Sequence, residues 1–298
     1  MPRLLLLDLT SEQGIRPSNE DTHAFAMNLG SDGQRVLDKF GAVDFFAICD
    51  GHGGDDVSRC VIHYLRTVFL NNKITYPLQQ DYLDSCYDAI QKKLLSRLHN
   101  VATECGSTAM VGVRFCDSED REFFQVVNLG DCRTVLSRDG LAIPLNKDHK
   151  PSWIDEKIRI DEVNRKMKTD YPIYWAEGDW RILGLSVSRV FGDFSATPYV
   201  THYPESFVHR LLPEDEFIIM ACDGLWEVME NYEAVNFVRD QLSNHDYYGS
   251  SHPDRYHIGS AYPTSETERS RHISKKLASY AIAKGSGDNV TVLIIFFK

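Results

Sequence analysis

Short apolar runs that end in turn residues recur along the chain and predict β-strands. Each run is rich in aromatic or β-branched residues and is bounded by polar or glycine positions, a pattern typical of strands. The predicted strands cover residues 4–9, 24–29, 44–49, 108–115, 123–129 and 134–136. The last is followed by Ser-Arg-Asp-Gly at residues 137–140, which predicts a hairpin turn.

Between the strands, apolar residues repeat at the spacing of an α-helix. The predicted helices cover residues 57–68, 83–98, 154–167, 233–242 and 269–284. These helices come in blocks between runs of strands, without regular βαβ alternation. The order favours an α+β fold in which two antiparallel sheets form the core and helices pack outside them.

Residues 243–267 match neither the strand pattern nor the helical spacing. They are rich in Ser, His, Tyr, Pro and Gly and contain few aliphatic side chains. We expect a polar surface excursion between two helices, and a variable loop without function is the plainer interpretation.

The sequence Cys-Asp-Gly occurs twice, each time directly after an apolar run. Asp50 follows the run at 44–49, and Asp223 follows a second run at 217–221. Asp288 stands just before a third apolar run at 290–297. Carboxylates brought together at strand ends repel one another unless a hard cation lies among them, so we expect a Mg²⁺ or Mn²⁺ site.

Charge and cysteine content narrow the class of protein. The 298 residues carry a formal net charge of −11, which disfavours nucleic acid or an anionic membrane as partner. The seven cysteines are odd in number and include no CxxC pair, which favours reduced intracellular thiols over disulfides or structural zinc. The apolar run at 4–7 is too short for a signal peptide, and no apolar stretch reaches transmembrane length.

Two further segments carry candidate chemistry. Arg16 precedes Glu20 and Asp21 in a turn-rich stretch, where the guanidinium suits phosphate and the carboxylates suit a metal, although a solvated ion pair is the plainer alternative. His52 follows Asp50 and Gly51, so its imidazole is placed to give a proton to a leaving oxygen. Its alternative role is to cap the helix that starts near residue 55.

Taken in order, these motifs resemble the metal-dependent serine/threonine protein phosphatases of the protein phosphatase 2C class. The motifs that carry the resemblance are Arg16 with Glu20 and Asp21, then residues 50–54, 106–109, 128–133, 148–151, 185–193, 221–226 and 287–289. The resemblance implies a single catalytic domain over residues 1–298, built as a four-layer α/β/β/α sandwich.

The resemblance also implies a role for each site residue. One Mg²⁺ or Mn²⁺ would be held by Asp50, Asp223 and Asp288, and a second by Glu20, Asp50 and the Gly51 carbonyl. Asp50 would bridge the two cations, whose shared hydroxide attacks phosphorus without a phosphoenzyme. Arg16 would bind phosphate oxygens, His52 would act as general acid, and Asp21 would orient water. Asp131 corresponds to a ligand of a weaker third metal.

Three departures from the family pattern stand out. Glu227 replaces a common aspartate, which bears on the third metal. The frequent Gly-Gly of the flap that borders the substrate groove is absent, and residues 163–168 read Val-Asn-Arg-Lys-Met-Lys. The polar stretch at 243–267 has the character of an insertion.

The remaining expectations concern the residues next to the motifs, the binding partners and the alternative functions. Cys49, Cys222 and Trp226 are expected in the core, and His149 in a turn. The expected partners are phosphorylated proteins, acted on by a monomer in the cytoplasm or the nucleus. A catalytically weak pseudophosphatase scaffold is the alternative. A metal-dependent phosphodiesterase or nuclease is disfavoured by the acidic charge.

Overall fold

The computed structural model describes residues 3–27, 43–70, 74–243 and 272–298. Its strands, in chain order, are β1 (Leu5–Glu12), β2 (Thr22–Ala26), β3 (Asp44–Cys49), β4 (Gly51–His52), β5 (Gly106–Ser107), β6 (Ala109–Cys116), β7 (Glu122–Leu129), β8 (Arg133–Arg138), β9 (Leu141–Pro144), β10 (Tyr174–Ala176), β11 (Asp179–Arg181), β12 (Phe191–Gly192), β13 (Glu205–Arg210), β14 (Asp215–Ala221) and β15 (Val290–Phe297). Its α-helices are α1 (Asp56–Phe69), α2 (Gln80–Leu98), α3 (Ile154–Met167), α4 (Asp223–Trp226), α5 (Asn231–Ser243) and α6 (Ile273–Ala283).

The described residues form two compact units, each assembled from separate stretches of the chain. Of the described residues, the first unit holds 18–27, 43–70, 74–134 and 145–212, and the second holds 3–17, 135–144, 213–243 and 272–298. The single catalytic domain over residues 1–298 stays a prediction.

The first unit is built on a five-stranded sheet in the order β13-β7-β6-β3-β2, whose strand pairs are antiparallel. Side chains of a strand point alternately to the two faces. Phe45, Ala47 and Cys49 of β3 therefore share one face, where they pack with apolar residues of α1 and α2 such as Val61 and Leu83. A buried side chain of the size of Phe or Leu contributes roughly 1.5–3 kcal/mol to stability.

The second unit repeats the plan with a sheet in the order β1-β15-β14-β8-β9. Phe217 and Ile219 of β14 share a core with Val235 of α5 and Leu277 of α6. Each unit thus has helices packed on one face of an antiparallel sheet, which confirms the predicted α+β class.

The strongly apolar elements were predicted well. Strand β3, strand β15 and helix α3 have the predicted bounds, and β8 and β9 form the predicted hairpin. Strands β10, β11 and β13 were missed because they are short or polar and show little apolar alternation.

Some predictions fall partly or wholly on residues outside the described ranges. These are the end of the strand at 24–29, the start of the helix at 269–284, and the polar stretch at 243–267 beyond Ser243, which ends α5. Among the described residues, no helix has the length and apolar character needed to span a bilayer.

Candidate metal and phosphate site

In the first unit, strand pairing brings two of the predicted acidic residues together. Strands β2 and β3 are antiparallel, and Thr22 faces Cys49. Asp21 therefore enters β2 beside the point where Asp50 leaves β3, and the two residues place carboxylate oxygens within 4.8 Å of each other. The Cys49 side chain lies in the opposite, helix-covered face, where burial raises the pKa of its thiol. The carboxylates, and not this thiol, are the candidate ligands.

Glu20 is held beside the same strand end by hydrogen bonds. Its carboxylate accepts one hydrogen bond from the Ser18 hydroxyl at 3.2 Å and one from the Gly54 amide at 3.1 Å. Its backbone carbonyl accepts a hydrogen bond from Ser58 of α1 at 2.7 Å. Glu20, Asp21 and Asp50 together offer the oxygen ligands that Mg²⁺ and Mn²⁺ prefer.

In both Cys-Asp-Gly motifs a glycine is required for steric reasons, because a Cβ atom would collide with a neighbouring backbone. A Cβ on Gly51 would lie 2.6 Å from the carbonyl oxygen of Glu20. In the second unit, a Cβ on Gly224 would lie 2.0 Å from the carbonyl oxygen of Asn289. Both copies of Cys-Asp-Gly therefore permit another backbone to pass close to the aspartate.

A three-stranded sheet, β12-β5-β4, joins three motifs that are far apart in sequence. Gly106 of β5 pairs with His52 on one side and with Gly192 on the other. Just beyond β5, Thr108 exchanges hydrogen bonds with the backbone of Asp50: its amide donates at 2.8 Å and its hydroxyl accepts at 3.0 Å. Thr108 thus fixes the backbone of Asp50, a function that the sequence did not reveal.

The small sheet places His52 against Asp193, which directly follows β12. His52 Nε2 lies 2.6 Å from a carboxylate oxygen of Asp193, whose side chain is 4% exposed. Burial alone would lower the pKa of His52, but the hydrogen bond and charge of Asp193 outweigh it, and the pKa is raised. His52 does not cap α1, and Asp193 is a functional candidate that sequence reasoning missed.

Asp131, the predicted third-metal ligand, is buried with a basic partner. Its side chain is 1% exposed, and one carboxylate oxygen lies 2.6 Å from the ammonium of Lys150. The other oxygen accepts no hydrogen bond from the described residues. A cation bound here would have to share the carboxylate with Lys150.

In the second unit, Asp223 and Asp288 occupy the predicted positions at strand ends. Asp223 begins α4 after β14, and Asp288 precedes β15. Arg16 donates to an Asp288 oxygen at 2.7 Å through Nη2 and to the Gly287 carbonyl at 3.0 Å through Nε. The ion pair observed for Arg16 is therefore with Asp288, whereas the plainer alternative had named Glu20.

The four residues that were expected in the core or in a turn are all buried: Cys49, Cys222, Trp226 and His149. Cys222 is inaccessible to solvent, and Trp226 is 7% exposed and donates its indole N–H to the Ala221 carbonyl. Both lie in the core as predicted, as does Cys49. His149 is 2% exposed and bonds to Gly130 through its backbone amide and its ring, so it supports the turn that carries Asp131.

An ion network around the buried Glu156 holds the segment of His149 in place. Glu156 of α3 is 3% exposed, and its carboxylate accepts hydrogen bonds from Arg159 and Arg189. Arg159 also donates to the Ser188 carbonyl, and Ser188 in turn donates to the His149 carbonyl. Burial alone would raise the pKa of Glu156, but the hydrogen bond from Arg189 and the charges of Arg159 and Arg189 outweigh it and bring the pKa to about 2.

We expect Glu156→Gln to lower the free energy of unfolding by about 3 kcal/mol, because the buried carboxylate that two part-buried guanidinium groups share is lost and Arg189 keeps only Glu205. Equilibrium urea denaturation measures this loss. Glu162→Gln, an exposed change on the same helix, should stay within about 0.5 kcal/mol of the wild type. An equally small effect of both variants would contradict the structural importance of the network.

The same network predicts a pH dependence of stability. The pKa of Glu156 is depressed from 4.5 to about 2, so its contribution is complete above about pH 4.5 and is lost as the pH falls toward 2. The difference in unfolding free energy between wild type and Glu156→Gln should shrink over that interval. A difference that stays constant down to pH 2 would contradict this assignment.

Comparison with known proteins agrees with the motif order. The protein phosphatase 2C family model matches residues 5–290. A PP2C-like domain-containing protein of Acanthamoeba polyphaga mimivirus is 59% identical over 178 residues, covering 60% of this chain and 96% of that protein. Probable protein phosphatase 2C 71 of Arabidopsis thaliana is 31% identical over 292 residues, covering 96% of this chain; this chain spans about half, 54%, of its length.

The fold is that of solved phosphatases. The crystal structure of serine-threonine phosphatase 2C from Toxoplasma gondii aligns with a TM-score of 0.69 at 19% identity, covering 100% of this chain and 98% of that one. The likeness supports the predicted sandwich fold class. With the family match over nearly the whole sequence, it leads to one assignment: the chain belongs to the protein phosphatase 2C family, a family of metal-dependent serine/threonine protein phosphatases.

Proposed function

We propose that this chain hydrolyses phosphoserine and phosphothreonine in proteins with Mg²⁺ or Mn²⁺ and without a phosphoenzyme. The observation that carries the proposal is the pair of carboxylates, Asp21 and Asp50, beside a candidate general acid. That acid, His52, lies two residues after Asp50 and is hydrogen-bonded to the buried Asp193. Bound divalent cations would supply a nucleophile from water and neutralise phosphate charge.

The ligand roles follow the family pattern and are proposals for this chain. We assign Glu20, Asp50, the Gly51 carbonyl, Asp223 and Asp288 to the two main cations. Asp21 lies beside Asp50 and is assigned to orienting water. Asp131 is assigned to a third and weaker cation, because Lys150 already neutralises it.

His52 is assigned as the general acid, acting through Nδ1. Its Nε2 is committed to Asp193, whereas Nδ1 has no hydrogen-bond partner among the described residues. The raised pKa of His52 favours the protonated ring, in which Nδ1–H can donate to the leaving oxygen.

Arg16 is assigned to phosphate binding. Nε and Nη2 hold the loop of Gly287 and Asp288, and Nη1 makes no hydrogen bond or ion pair with the described residues. The side chain is 54% exposed, so Nη1 can donate to a phosphate oxygen while the other nitrogens anchor the guanidinium. We further propose that the chain acts as a monomer in the cytoplasm or the nucleus.

The test is phosphate release from phosphoserine and phosphothreonine peptides after EDTA treatment, with and without added Mg²⁺ or Mn²⁺. We expect release only after metal is restored, because the candidate site offers carboxylates in place of a nucleophilic cysteine. A phosphotyrosine peptide and a bis-p-nitrophenyl phosphodiester serve as controls. Preferential cleavage of the diester would contradict the proposal, as would metal-restored protein that releases no phosphate from any peptide.

A further inference from the structure

A surface cavity of about 240 Å³ lies in the first unit, where α3 and β11 contribute to its walls. Two aromatic rings, Tyr171 and Trp180, line it together with two carboxylates, Asp161 and Asp170. Lys157 adds one positive charge to the lining. The cavity therefore combines aromatic surface with an excess of negative charge.

The aromatic walls are held in place by neighbouring side chains. The ring of Tyr171 meets Tyr199 edge-on at 5.0 Å, and that of Trp180 meets Trp175 edge-on at 5.6 Å between centroids. The loop that carries Tyr171 is fixed by Asn164, whose side chain bonds both the amide and the carbonyl of Tyr171. Walls fixed in advance lower the entropy cost of binding a ligand.

The charges of the cavity favour a cation. Asp161 and Asp170 are exposed and make no side-chain ion pair or hydrogen bond within the part of the chain that the structure describes. An anion would meet these two carboxylates with only Lys157 in its favour. A guanidinium, in contrast, stacks on aromatic rings and donates two parallel hydrogen bonds to a carboxylate.

Two ion pairs and a hydrogen bond connect the cavity to Asp131, the proposed ligand of the third cation. Asp179 precedes Trp180 in β11 and accepts a hydrogen bond from its amide at 2.7 Å. The Lys150 ammonium lies 3.0 Å from Asp179 and 2.6 Å from Asp131. Only two side chains, Lys150 and Asp179, thus separate the cavity residue Trp180 from a residue of the proposed metal site.

We infer that this cavity binds an arginine side chain of the phosphoprotein substrate, close in sequence to the phosphorylated residue. The inference rests on the proposed phosphatase function. It gives the enzyme a preference for phosphorylation sites flanked by arginine.

The test uses phosphothreonine peptides in which one arginine, moved in turn through the flanking positions, is compared with citrulline. Citrulline keeps the shape of arginine and removes its charge. We expect wild type to prefer arginine at one or two positions by about tenfold in kcat/KM. The double variant Asp161→Asn/Asp170→Asn and the variant Trp180→Ala should bring that ratio close to one.

Glu162→Gln is the matched control, because it removes an exposed negative charge beside Asp161 from a residue outside the cavity. It should keep the wild-type ratio. A wild type without arginine preference, or a double variant that retains it, would overturn the inference.

Calorimetric binding of the unphosphorylated peptides separates this inference from the proposed function. Arginine-dependent binding that the double variant loses supports the cavity even if no peptide is hydrolysed. Phosphopeptide hydrolysis without arginine-dependent binding overturns the cavity and leaves the phosphatase function standing.

Discussion

Asp50→Asn is expected to lower phosphopeptide turnover by about 10³-fold or more, one of the two largest losses expected for this chain. Asp50 is the proposed bridge between two cations, so removal of its charge weakens the binding of both cations. The transition state then loses several kcal/mol of stabilisation. Asp21→Asn should cost less, about 10–100-fold, because Asp21 is assigned to act through water. Steady-state kinetics at saturating Mn²⁺ measures both.

Asp56→Asn is the control, because it also removes a carboxylate close in sequence to Asp50. Asp56 is exposed in the first turn of α1 and is assigned no ligand role. Its activity should remain close to wild type. Equal Mn²⁺ affinity of wild type and Asp50→Asn by calorimetry would contradict the bridging role.

The second large effect concerns His52. We expect His52→Ala to slow phosphopeptide hydrolysis by about 10²–10⁴-fold, the usual contribution of a general acid. Hydrolysis of p-nitrophenyl phosphate should fall far less, because nitrophenolate leaves without a proton whereas a serine alkoxide needs one. The ratio of the two rates is the measurement.

His63→Ala removes an exposed imidazole from α1 and should leave that ratio unchanged. Metal affinity should survive in His52→Ala, since the residue is not a proposed ligand. Equal losses on both substrates with weakened Mn²⁺ binding would show that His52 is a structural or metal-binding residue.

The parts of the site that could be predicted from sequence are those encoded locally. A buried strand that ends in Asp-Gly identifies both the strand and its carboxylate, which is why β3 with Asp50 and β14 with Asp223 were placed correctly. The apolar strand β15 likewise located Asp288. No local pattern, however, states which strand ends are neighbours.

Features that depend on long-range pairing were missed. The contact between His52 and Asp193 requires β4, β5 and β12 to pair, although these strands lie far apart in sequence and have two residues each. Such short strands carry no readable period.

The helix pattern of α3 was read correctly, yet it gave no sign that Glu156 is buried. That carboxylate is stable in the interior because Arg189 comes from a distant segment. Strands β10 and β11 were missed for a different reason, since their aromatic side chains are exposed and show no apolar alternation.

The central claim is that divalent cations held by carboxylates are required for catalysis. The most direct measurement titrates Mn²⁺ into EDTA-treated wild type and Asp50→Asn, recording bound metal by equilibrium dialysis and phosphate release from a phosphothreonine peptide in the same samples. The account predicts that wild-type release rises in step with two bound cations and that Asp50→Asn loses both metal affinity and turnover. Full turnover by the metal-free wild type would contradict it.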